Sequence, residues 1–234
     1  MFDQKALEYL VGLGRVQTLE INGQTYSPVG LNHVRLPKVE PIKVNSLTGL
    51  VDYLKSKFDE VFFEGCMVHV VSHDCVKLVS NILGDAGREV YMTAEAFAPK
   101  FNFGQWYDVE SFIIAMQSCF VQNEDSAKIL RVVGNIKEEA VKQTGDDGVS
   151  QKVTAKTGIA TVEEVKVPNP VVLAPFRTFR EIAQPESKFV FRMQQGPRCA
   201  LFEADGGAWR LDAMRRIKEW LEIELEGLKI PIIS

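Results

Sequence analysis

The chain has 234 residues, 46% of them hydrophobic, and a formal net charge of −4. That length suffices for one large core or two small ones, the apolar content excludes disorder as the default state, and the acidic balance excludes a surface coated for nonspecific DNA binding while leaving room for a local basic patch. No apolar run reaches the length of a membrane helix, and the opening MFDQKALEYL lacks the basic region and apolar core of a signal peptide, so a cytoplasmic location with no membrane partner is expected. Cys66, Cys75, Cys119 and Cys199 are read as thiols, because disulfide frameworks belong to small secreted domains.

In chain order, Asp3 is placed to cap a short surface helix over Gln4 to Leu13, with Leu7, Leu10 and Val11 on one face. Val16 to Ile21, Asn22-Gly23 and Gln24 to Ser27 spell a hairpin, since Asn-Gly tolerates the positive φ of a type I′ turn. Pro28, Pro37 and Pro41 punctuate a connecting arm. Ser46 then caps a helix from Leu47 to Phe58 that faces the core with Leu50, Val51, Leu54 and Phe58. Met67 to Val71, Cys75 to Val79 and Glu89 to Ala94 alternate as a three-strand meander, with Gly84 to Gly87 as the turn before the third run. Aromatic residues crowd Phe97 to Tyr107, and Asp108 caps an apolar helix from Val109 to Val121 that is expected to lie buried centrally or against a partner subunit.

The second half reads as sheet. Ile129 to Ile136 is expected as strand, Lys137 to Gly148 as a loop, and Val149 to Lys156 with Ile159 to Val167 as a hairpin around Thr157-Gly158. Pro168, Pro170, Pro175 and Pro185 exclude helix from the stretch that follows. Within it Val171 to Leu173 forms one strand and the alternation of Phe189, Phe191 and Met193 another, joined by the corner Phe176-Arg177-Thr178-Phe179-Arg180. Cys199 to Glu203 is a strand, Asp205-Gly206-Gly207 turns it, Trp209 to Leu211 returns, and Asp212 caps a last helix with Met214, Ile217, Leu221 and Leu225 as its apolar stripe.

The run PNPVVLAPFRTFREIAQPESKFVFRMQ, followed by CALFEADGGAWRLDA, resembles a family of uncharacterised phage and prophage proteins, the YfdQ-like proteins. INGQTYSP, VNSLTGLVDYL, VHVVS and GVSQKVTAKTG are similar in the same order, so the likeness covers most of the chain. It implies a phage or prophage origin and carries over no catalytic residues or cofactor.

Two constellations could carry chemistry. Cys66-x-x-His69-x-x-x-His73-x-Cys75 contains zinc-ligand types, but strand alternation points Cys66 away from His69, and an ordinary strand pair is the favoured reading; no metal is assigned. The other is cationic and aromatic: Arg177, Arg180, Arg192, Arg198 and Arg210 with Phe176, Phe179, Phe191 and Trp209, a set suited to phosphates and bases if it converges. Glu181, Glu186 and Glu203 are the competing partners that would absorb those arginines in ion pairs. GxSxG, Walker, GxGxxG and HExxH motifs do not occur, and the acidic pairs Asp146-Asp147 and Glu163-Glu164 form no ordered set for a metal nuclease.

These readings give an α+β protein with antiparallel β-rich sheets and about four helices, including a C-terminal amphipathic helix. Residues 1–122 would be a helix-containing part and residues 123–234 a β-rich part closed by the last helix, the two forming one or two domains. The expected function is non-enzymatic binding or assembly with self-association; the alternative is binding of a nucleotide or single-stranded nucleic acid in phage DNA metabolism or counter-defence.

Overall fold

The architecture follows from a computed structural model, which describes residues 3–14, 19–21, 24–27, 38–59, 65–83, 86–135, 143–146, 151–157, 161–167, 169–194, 196 and 198–234. It is an α+β fold whose residues group into two units, 1–38 and 39–234. In the first unit, helix α1 (Gln4–Leu13) and the antiparallel pair β1 (Leu19–Ile21) and β2 (Gln24–Tyr26) match the sequence reading, with Ile21 opposite Gln24; the Asn22-Gly23 turn lies outside the described residues. Asp3 does not cap α1 with its side chain; its carbonyl accepts from the Ala6 and Leu7 amides instead.

The second unit opens with β3 (Ile42–Val44), where only a connecting arm was expected, and α2 (Leu47–Ser56). Ser46 Oγ accepts the Gly49 amide at 3.1 Å, satisfying one of the free donors of the first turn. Lys57, at φ 52°, leaves the helix, so Phe58 does not inherit the face of Leu54 and is 84% exposed, contrary to its expected core position. β4 (Cys66–Ser72), β5 (Cys75–Ser80) and β6 (Val90–Glu95) form the expected meander. β3 joins β6 in parallel. Val68, Val76, Leu78 and Met92 pack beneath Leu47, Leu50, Val51 and Leu54 of α2. Each fully buried Leu there contributes about 2 kcal/mol.

The chain then builds a second sheet: β7 (Tyr107–Asp108), α3 (Val109–Cys119), β8 (Phe120–Val121) and α4 (Glu124–Gly134). β9 (Gln143–Asp146), β10 (Gln151–Thr157) and β11 (Thr161–Val167) form a separate antiparallel sheet, with β10 against β13 and β11 against α4. β12 (Val171–Pro175), β13 (Ser187–Gln194) and β14 (Arg198–Glu203) complete the order β7-β14-β13-β12-β8. Phe189, Phe191, Met193, Cys199 and Leu201 line its inner face, and Phe112 and Met116 of α3 and Ile129 and Val133 of α4 cover it.

Several expectations change here. Residues 129–134 are helix, not strand. Asn123 Oδ1 accepts the Ser126 amide and Ser126 Oγ accepts the Asn123 amide, both at 2.8 Å, and this reciprocal cap with Glu124 and Asp125 in the first turn nucleates α4 where β-branched residues suggested sheet. The same Asn123 and Asp125 close the edge of β12: Val172 donates to Asp125 Oδ2 at 2.9 Å and its carbonyl accepts from Asn123 Nδ2 at 3.0 Å. Part of the expected 137–148 loop is β9. Within the aromatic run, Phe101, Phe103 and Tyr107 turn inward and stack on one another and on Phe112, Phe120 and Phe189. α3 ends at Cys119 and leaves Ile114 58% exposed, so it is not buried all round.

The last helix, α5 (Trp209–Glu224), starts three residues before Asp212, with Trp209 to Leu211 helical and Asp212 inside the first turn. It packs on β4 and α2, placing Ile217 and Leu221 in the core of the first sheet, and so does not close the β-rich half. Its apolar stripe lies beside α2 on the same face of that sheet, over β4, and β15 (Ile232–Ile233) then pairs in parallel with β4. Among the described residues no helix is long and apolar enough to cross a membrane.

Candidate functional site

The corner between β12 and β13, residues 176–186, fastens the two large sheets together. Phe179 and Ile182 insert into the core of the first sheet, and Thr178 Oγ1 donates to the His73 carbonyl at the β4–β5 turn. Gln184, buried, knits the corner: its Oε1 accepts the Arg177 amide at 3.0 Å and its Nε2 donates to the Phe179 carbonyl at 2.9 Å. Glu181 Oε1 accepts the Thr48 amide at 3.1 Å, putting a carboxylate at the positive end of α2 rather than beside an arginine.

Arg177 lies inside this joint. Its guanidinium stands 3.7 Å from the centre of the Trp209 ring, donates to the Pro185 carbonyl at 3.1 Å and to Ser187 Oγ, and pairs with Glu203 at 3.3 Å. Burial pulls its pKa down to about 10, opposed by Glu203 and Asp205, so it remains a cation at neutral pH. Arg177 Nε and Trp209 Nε1 are buried without a hydrogen-bond partner. Arg210 approaches the same ring at 4.9 Å, and His73 meets it edge-on at 4.6 Å. Burial lowers the His73 pKa; Arg210 and Arg177 act in the same direction and Asp74 against it.

The remaining arginines do not converge on this joint. In an antiparallel ladder, paired residues share a face and neighbours alternate. Phe189 opposite Glu203 and Phe191 opposite Leu201 therefore define the inner face, whereas Arg192 opposite Ala200 and Arg198 beside Gln194 belong to the outer one. Arg180, exposed, stacks at 3.6 Å on Phe176 within the corner. The structure thus brings together Arg177, Trp209 and Arg210, gives Phe179 to the core, and sends Arg192 and Arg198 to the opposite side of the sheet.

The zinc-type residues do not assemble. Cys66 pairs with Ser80 at one end of the β4–β5 ladder and Cys75 with Ser72 at the other, and Cys66 lies in the core. Among the described residues no three His, Cys, Asp or Glu side chains are placed to share a metal ion.

Two aromatic residues outside the sequence-derived set are exposed on the outer face of the second sheet. Phe202 of β14 is 37% exposed and Trp106 is 38% exposed; their rings lie 6.2 Å apart at 74°. The alternation that turns Cys199 and Leu201 inward was the available signal for Phe202. The placement of Trp106 depends on a loop path that no local pattern encodes. No family model, curated protein or solved structure matches the chain.

Proposed function

We propose that this protein, of phage or prophage origin as its sequence resemblance implies, acts in the host cytoplasm by binding rather than by turnover. Its proposed ligand is a nucleotide or single strand of nucleic acid engaged by guanidinium groups of the second half. The observation that carries this reading is that Arg180, Arg198 and Arg210 are exposed and, among the described residues, unpaired with any carboxylate. On a chain of net charge −4, each exposed cation left unneutralised is a separate point at which a phosphate can be held, Arg198 on the outer face of the second sheet and Arg180 and Arg210 elsewhere. Glu203 and Glu181, two of the competing partners, are engaged with Arg177 and Thr48.

The test is fluorescence anisotropy of a labelled oligothymidylate and a labelled nucleotide across a salt series. Affinity is expected to fall with salt, and Arg180→Ala, Arg198→Ala and Arg210→Ala are each expected to weaken binding and to reduce the single-strand salt slope by about 0.7. Absence of binding at low salt, or an unchanged slope in the triple variant, overturns the reading.

Self-association is the second reading, and Leu211 and Ile223, 73% and 70% exposed near the two ends of α5, are the apolar side chains it would cover. Sedimentation should show a concentration-dependent species that Ile223→Glu dissolves. A clean monomer at micromolar concentration removes this second reading.

A further inference from the structure

The geometry points to a base-stacking corner on the outer face of the second sheet: Trp106 and Phe202 take one base of a single-stranded nucleic acid, with Lys188 and Arg198 engaging the flanking phosphates. This assignment deepens the nucleic-acid reading above and rests on it.

The pleat dictates the arrangement. Phe202 pairs with Val190, Ala200 with Arg192, and Arg198 with Gln194, so these six residues share the face opposite the core. Lys188, two residues before Val190 and opposite Val172, joins them. Phe202 therefore has a cation on either side along the ladder, Lys188 diagonal to it and Arg198 four residues away, about 13 Å at strand rise. Both cations are exposed. The middle of this face is closed, with Val190 and Arg192 half-buried and Ala200 fully buried, so its exposed positions are Phe202 and Lys188 towards one end and Arg198 at the other.

The aromatic pair is held in place before any ligand arrives. The Gly104 amide donates to the Leu201 carbonyl at 2.8 Å, tying the loop that carries Trp106 to β14, and the Asn102 amide donates to the Tyr107 hydroxyl at 2.9 Å. Gly104 has φ 76°, a conformation that L side chains rarely adopt, which lets the loop turn over the strand there. Two rings at 74° form a corner in which a base stacks on one ring and presents its edge to the other. Single exposed aromatic residues are ordinary on protein surfaces. A rigid perpendicular pair between two cations on an acidic protein has the parts of a site for an exposed base with its phosphates.

Asp108 is the acidic residue in register with Arg198. Its carboxylate accepts the Ser111 amide at 2.9 Å and caps α3, which leaves Arg198 available for phosphate. A duplex hides the faces of its bases, so the corner selects single strands.

The test compares a ten-nucleotide oligothymidylate, an abasic strand of equal length and a duplex, by anisotropy with the full chain. The oligothymidylate should bind about tenfold tighter than the abasic strand and tighter than the duplex. Phe202→Leu and Trp106→Leu keep apolar bulk and should each weaken oligothymidylate binding about tenfold while leaving abasic affinity unchanged; Phe202→Trp should restore it. Unchanged thermal midpoints in these variants separate loss of stacking from loss of fold. Equal affinity for the thymidylate and abasic strands, reduced for both by Arg198→Ala, overturns the corner and leaves the arginine reading intact. Failure of the wild-type chain to bind any strand overturns both.

Discussion

Arg177→Ala deletes a guanidinium that is 9% exposed, paired with Glu203 at 3.3 Å and stacked 3.7 Å from the Trp209 ring. A charge-assisted hydrogen bond contributes about 1.5–3 kcal/mol. A desolvated cation–π contact adds about 2 kcal/mol. Offsetting them, the substitution removes the cost of keeping the guanidinium out of water, the cost that draws its pKa down to about 10. Glu203 is 32% exposed and can hydrate once its partner is gone, so the stranded carboxylate costs less than in a fully buried pair. The net loss comes to roughly 2–4 kcal/mol, below or at the low end of what breaking a buried pair costs. In a chain of this size it lowers the unfolding midpoint by on the order of 10 °C. Urea and thermal unfolding followed by circular dichroism measure it, with Arg198→Ala expected within about 0.5 kcal/mol of wild type. An Arg177→Ala protein as stable as wild type would refute the bracing role, and one that also lost ligand affinity would make Arg177 part of the binding surface.

Because burial holds the His73 pKa below its ordinary 6.5, the unfolded chain takes up that proton first as pH falls. The stability associated with neutral His73 is therefore full above pH 6.5 and is lost as pH falls through the folded value, and His73→Gln should flatten that part of a pH–stability curve; an unchanged slope refutes it. Gly65→Ala should destabilise by about 1–3 kcal/mol, because Gly65 sits at φ 92° with the Asn81 side chain where a Cβ would go. Gly134→Ala, at the end of α4 with open space around it, should be neutral or stabilise by up to about 1 kcal/mol; chemical denaturation of both variants tests the contrast. Alkylation of the native protein should label half-buried Cys75 first, whereas Cys199, fully buried with its pKa pushed up to about 12, should react only after unfolding; mass spectrometry of the peptides decides.

The fold was most legible where local chemistry leaves few options. The proline-punctuated stretch emerged as strands with Phe189, Phe191 and Met193 inward, and Ser46 capped α2 as its residue type required. Ile129 to Val133 misled because β-branching favours sheet, while the reciprocal cap at Asn123 and Ser126, the stronger signal, coincided with what resembled a boundary. The edge strands β3 and β15 were invisible locally, since each exists only through parallel pairing with a strand distant in sequence. The arginine-aromatic group was legible as composition but not as geometry: strand parity decides that Arg192 and Arg198 face away from Arg177, and the path of the corner decides that Arg177 sits against Trp209.

The way α5 and β15 return to the first sheet has a consequence for synthesis on the ribosome. When residues 42–95 have emerged, their strands still lack the helix that supplies Ile217 and Leu221, the neighbour that pairs with Val68, and the Phe179 plug. Nascent chain halted before Trp209 should therefore present an unsealed, protease-sensitive apolar surface, and the β4-β5-β6 sheet should gain its protection only once residues 209–233 have emerged.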